Sequence, residues 1–177
     1  MRHARTALVT ITLALITLLT PSVASATEPE SSPMQERVDE VIDEFGGEQI
    51  SWNEVSWDSG DVVLTLDPNL SMTNQTTSSE TATASTATTV AAASKEDCAS
   101  GKYCLYSRAF YEGDKLTFSA CPATHTSFTK LGGAPRSIMN DRSSGKVKAY
   151  SGNTVKATLN AGTGTSNISG VTKVTCS

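Results

Sequence analysis

The stretch "YSRAFYEGDKLTF", Tyr106 to Phe118, sets two tyrosines five residues apart and a glycine two further on. Tyr103–Arg108 reads as one strand and Asp114–Ser119 as the next, since both alternate in character. Tyr106 and Tyr111 bracket the turn between them. A glycine at 113 suits a backbone that bends back over its own sheet with positive φ, and the aromatic rings cover the bent corner. On the residues alone this is a folded hairpin with an aromatic lid.

The surroundings match such a hairpin. Residues 95–177 consist of short alternating segments rich in Thr, Val, Tyr and Gly, broken by frequent turn signals, which predicts an all-β domain. All four cysteines, Cys98, Cys104, Cys121 and Cys176, lie in it. An even count in a short exported segment reads as two disulfides with three open connectivities. The favoured pairing joins Cys98 to Cys104 as a local staple and Cys121 to Cys176 across the domain. By loop entropy the long bridge contributes up to about 4 kcal/mol and the short one about 2 kcal/mol. Zinc is disfavoured, because the spacing is C-x5-C with no histidine beside it.

Upstream, residues 1–26 read as a signal peptide. Arg2 and Arg5 precede an apolar run from Ala7 to Leu19, and Ala24-Ser25-Ala26 supplies a small-residue cleavage site. The run is shorter than the ~20 residues a membrane-spanning helix needs. A secreted chain with no membrane span is expected, in a compartment where cysteines pair.

Residues 27–71 predict an acidic αββ leader or pro-segment. Ser32 caps a helix, Pro33 takes its first position and Gln35 completes a capping box. Met34, Val38, Val41, Ile42 and Phe45 share one face, and Gly46-Gly47 stop the helix. Two strands follow around the turn Asp58-Ser59-Gly60-Asp61, with Trp52 and Trp57 on the first, explained by packing of the helix on the hairpin. Residues 72–94, almost entirely Thr, Ser and Ala, form a flexible linker open to proteolysis.

Charge divides the chain. Residues 27–94 carry 13 acidic and 1 basic side chain, whereas residues 95–177 carry 5 acidic and 11 basic ones. This imbalance suggests an intramolecular association of leader and core. The lysines are scattered through strand-like segments without a nucleic-acid motif, so no nucleic acid is expected as a partner.

Tyr106, Tyr111 and Gly113, as Y-x4-Y-x-G, resemble the Greek-key signature of βγ-crystallin domains. "NDRSSG" resembles the calcium loop of that fold, with Asn140, Asp141 and Ser144 at its first, second and fifth positions and Gly145 departing from the sixth. The order of C-x5-C, aromatic corner, third cysteine, "NDR" loop and terminal cysteine is similar to small secreted bacterial proteinase inhibitors of βγ-crystallin-like fold. In the second repeat Tyr150 is present, but Val155 and Ala157 replace the second aromatic and the glycine. The resemblance implies an all-β, double Greek-key sandwich with two disulfides over residues 95–177. It implies a secreted monomer that inhibits thermolysin-like metalloproteinases.

No cofactor is required by this reading. Ca²⁺ is a candidate ligand, but calcium sites gather several oxygens and Asp141 is the one carboxylate in the loop, among Arg136, Arg142, Lys146 and Lys148. The alternative role for Asn140, Asp141 and Ser144 is to bond the loop backbone. An enzyme is disfavoured: past the signal the chain has one histidine, His125, and no HExxH, GxSxG or phosphate loop. Inhibition asks instead for a rigid, substrate-like loop braced by disulfides. The loops running from Cys121 to Ser137 and from Asn160 to Gly170, the latter read as flexible, are candidates. Phe128, Leu131 and Ile168 are their apolar reactive-loop residues. The competing reading keeps the fold but drops the protease, leaving a toxin-like module that binds Ca²⁺ or a cell-surface partner.

Overall fold

Ser32 opens the first helix, α1 (Pro33–Phe45), by accepting a hydrogen bond from the Gln35 amide at 3.2 Å. Gly46 closes it with φ 65° and an N–H bonded to the Ile42 carbonyl. Met34 and Val38 are buried on its inner face. The Gln35 side chain is spent on Asp39 and Gln49. The computed structural model describes residues 32–73 and 97–177. The expected signal peptide and nearly all of the expected linker lie outside the described residues.

After α1 come three strands where the sequence pattern gives two: β1 (Glu48–Ser51), β2 (Glu54–Trp57) and β3 (Val62–Thr65), followed by the short helix α2 (Pro68–Thr73). The expected first strand breaks at Trp52-Asn53, a turn that asparagine favours. Its Asn53 amide donates to the Leu66 carbonyl at 2.8 Å, and the Leu66 N–H returns to the Asn53 carbonyl. Trp52 therefore stands 60% exposed, while Trp57 packs on the helix and donates its indole N–H to the Phe45 carbonyl. Only one of the two tryptophans serves the helix–hairpin contact.

The cysteine-bearing segment adds eight strands: β4 (Tyr103–Tyr106), β5 (Lys115–Phe118), β6 (Ala123–His125), β7 (Ser137–Asn140), β8 (Lys146–Ser151), β9 (Thr154–Asn160), β10 (Thr163–Thr165) and β11 (Lys173–Cys176). They form two antiparallel sheets. One runs β1-β2-β3-β5-β4-β7-β10 and the other β6-β11-β8-β9. Each consecutive quartet gives its third strand to the opposite sheet, β6 joining β11 and β10 joining β7. The segment read as a flexible loop, Asn160–Gly170, thus contains a paired strand. Gly164 permits this, because a Cβ there would lie 2.8 Å from the Tyr111 hydroxyl and 2.9 Å from the Ile138 carbonyl.

The strand β3 pairs with β5 over four residues, Val62 with Phe118 through Thr65 with Lys115, so the N-terminal αβ segment extends the main sheet. Val38, Val55 and Leu64 from that segment join one buried cluster with Tyr103, Leu105, Leu116, Val147 and Val174. The disulfides are Cys98–Cys104 and Cys121–Cys176, the favoured pairing.

Candidate functional site

The corner is built on Tyr106, the last residue of β4 and fully buried. Its ring meets that of Tyr111 edge-on, with centroids 5.6 Å apart. Cys98, Cys104, Met139 and the two tyrosines form a small second core beneath the turn. Burial, aided by Asp97, Tyr111 and Asp141, pushes the Tyr106 phenol far up, and burial raises that of Tyr111. Both rings stay neutral and act as packing.

Gly113 occupies a position that few residues could. Its φ is +78°, and a Cβ would fall 2.3 Å from the Ser107 hydroxyl oxygen. Around it the Ser107 N–H donates to the Asp114 carbonyl and the Arg108 N–H to that of Glu112. Ser137, buried at the head of β7, accepts from the Tyr111 N–H at 2.9 Å and donates to the Arg108 carbonyl at 2.7 Å. Tyr106, Tyr111 and Gly113 together shape the bend.

Two other loops are sewn to this bend. The Arg136 N–H donates to the Tyr106 carbonyl, the Ile168 N–H to the Arg136 carbonyl, and the Phe110 N–H to the Ser166 carbonyl. Both loops singled out from the sequence thus end against the tyrosine corner. Their apolar candidates turn inward, however: Phe128, Leu131 and Ile168 are 7%, 3% and 8% exposed and belong to the main core. The large apolar side chain that the cluster presents to solvent is Phe110, 66% exposed. Sequence reading passed over it. The available signal was the pair Phe110-Tyr111, two adjacent aromatics of which only one can close the lid.

Asn140, Asp141 and Ser144 do not converge as an acidic cage. Asn140 is fully buried, donating its amide to the Leu159 carbonyl at 3.1 Å and so tying β7 to β9. The Asp141 N–H donates to the Lys102 carbonyl, and Ser144 is exposed. No group of three or more His, Cys, Asp or Glu side chains placed to hold a metal occurs among the described residues. His125, on β6, lies 2.7 Å from the Tyr103 hydroxyl and has its ring 4.1 Å from that of Phe118. Burial lowers its pKa. It is a half-buried sheet residue.

Three loops held by backbone bonds over a disulfide define a rigid presentation scaffold, a class suited to binding another protein. The model of peptidase inhibitor family I36 matches residues 91–160 of the chain. The match spans β4 to β9 and includes the whole tyrosine corner. The match supports a peptidase inhibitor function, with a proteinase as the partner it points to. No curated protein and no solved structure matches the chain. Among the described residues no helix is long and apolar enough to cross a membrane.

Proposed function

We propose that the chain is a secreted inhibitor of metalloproteinases with a double Greek-key, βγ-crystallin-like core. The observation that carries it is the coincidence of the family match over residues 91–160 with the braced corner at Tyr106, Tyr111 and Gly113. The exchange of third strands between two quartets supports the Greek-key reading, since it relates β4–β7 to β8–β11 by an internal repeat. A loop already ordered before binding loses little conformational freedom on meeting an enzyme. The apparent signal peptide and two disulfides fit an extracellular site of action.

The test is a titration of the protein against a thermolysin-like metalloproteinase and a subtilisin-like serine proteinase. Stoichiometric inhibition of the metalloenzyme is the expected result. Inhibition of the serine enzyme alone would reassign the target class.

A second reading, a βγ-crystallin-like module that takes up Ca²⁺ or a cell-surface partner, draws on the Asn140-Asp141-Ser144 loop. It requires melting that shifts with millimolar calcium and no inhibition of either enzyme. With one carboxylate in that loop, calcium affinity would be weak. The leader, in turn, is proposed to remain seated on β5 after any cut in the linker, as a retained strand of the inhibitor.

A further inference from the structure

Phe110 combines two properties that folding alone does not favour. It is an aromatic side chain 66% exposed to solvent, and it sits in left-handed backbone at φ 61°, ψ 27°. Tyr111 follows at φ 64°. Two consecutive residues with positive φ are ordinarily Gly, Asn or Asp, because a Cβ crowds the carbonyl in that region. Tyr111 has a structural reason to stand there, since its ring closes the corner against Tyr106. Phe110 makes no such contact: its ring leaves the core. Glycine or asparagine would suit the bend better, and neither would expose an apolar ring.

The bend holding Phe110 is rigid from three directions. The Phe110 N–H is bonded to Ser166, the Tyr111 N–H to Ser137, and the Cys98–Cys104 disulfide lies in the small core beneath. An exposed aromatic on so constrained a base has little freedom left to lose, which is the condition for a binding hot spot.

We infer that Phe110 is the anchor by which this domain engages its proteinase, entering an apolar side-chain pocket of the enzyme. The inference rests on the inhibitor reading above and names the residue that does the work. A peptide that joins a groove as an added strand must be extended. The left-handed pair Phe110-Tyr111 is bent instead, so the corner enters as a wedge and the bond between them is held away from a cleavable geometry.

The experiment uses the full chain and a thermolysin-like metalloproteinase. Phe110→Ala is expected to weaken inhibition by at least about 30-fold, the loss of a hot spot. Phe110→Leu is expected to retain most of it, and Phe110→Gly to lose it while melting at the same or a higher temperature. Val155→Ala, which trims another exposed apolar residue, on β9, is expected to leave inhibition unchanged. Mass spectrometry after long incubation should find the Phe110–Tyr111 bond intact. Undiminished inhibition by Phe110→Ala overturns the proposal and leaves the inhibitor reading standing. Cleavage at that bond overturns the wedge. Loss of inhibition together with lower melting in both Phe110→Ala and Phe110→Leu overturns it in favour of a structural role. A parent protein that inhibits neither class of enzyme overturns both readings.

Discussion

Arg37 and Asp114, 77 residues apart in sequence, meet in an ion pair at 3.0 Å. The Arg37 Nη2 atom reaches both carboxylate oxygens, while its Nη1 donates to the Asp67 carbonyl at 2.9 Å. Asp114 also accepts the Asp67 backbone N–H at 2.8 Å. One carboxylate, next in sequence to Gly113, therefore ties α1 and the segment after β3 to the start of β5. The basic partner comes from the acidic segment and the acid from the basic one, opposite to the direction in which the overall charges would pull.

Breaking this joint should cost more than an exposed pair would, because both side chains are largely covered. Asp114→Ala is expected to destabilise by about 2–3 kcal/mol, since the Arg37 guanidinium and the Asp67 N–H both lose a charged partner. Arg37→Ala should cost about 1–2 kcal/mol. Urea denaturation of the two single variants and the double variant measures the coupling, and strict additivity would show that the joint contributes nothing.

A cut in the linker should leave the two pieces together even in about 1 M salt, where charges are screened beyond roughly 3 Å. Strand pairing of β3 with β5 and burial of Val38, Val55 and Leu64 hold them, each such side chain contributing on the order of 1.5–3 kcal/mol. Size-exclusion chromatography of the nicked protein checks this. Separation of the pieces on adding salt would mean that the charge imbalance, and not the shared sheet, joins them.

Gly113→Ala should destabilise by about 1–3 kcal/mol through left-handed strain and crowding against Ser107. The loss should appear in the melting temperature, together with weaker inhibition as the Phe110 base loosens. A variant as stable as the parent would show that the corner tolerates a side chain there.

His125 sets a pH dependence. Its folded pKa lies below its ordinary value of 6.5 because burial disfavours the imidazolium. The unfolded chain therefore binds more protons between the two values, so stability is full above about pH 6.5 and falls as the pH drops through the window below it. His125→Gln should flatten that part of the profile. Thermal melts from about pH 8 to pH 5 provide the comparison, and an unchanged slope would assign the dependence to another group.

Local features were legible in the chain before any fold was known. The α1 helix follows from a capping serine, a proline at the first position and an apolar face at helical spacing. The bend at Tyr106, Tyr111 and Gly113 follows from two rings that need cover and a glycine that can turn left-handed. The disulfides follow from an even count of four cysteines within residues 95–177. The helix and the bend depend on residues near one another in sequence, where propensity and spacing act directly, whereas the Cys121–Cys176 bridge spans 55 residues.

Tertiary structure decided which strand edges meet and which side of a loop faces out. Backbone donors and acceptors are alike in every strand, so nothing local in Val62–Thr65 specifies β5 as its neighbour; the shared core does. The same long-range packing draws Phe128, Leu131 and Ile168 inward and turns part of Asn160–Gly170 into β10. With those apolar residues committed to the core, the corner that defines the fold is left presenting Phe110.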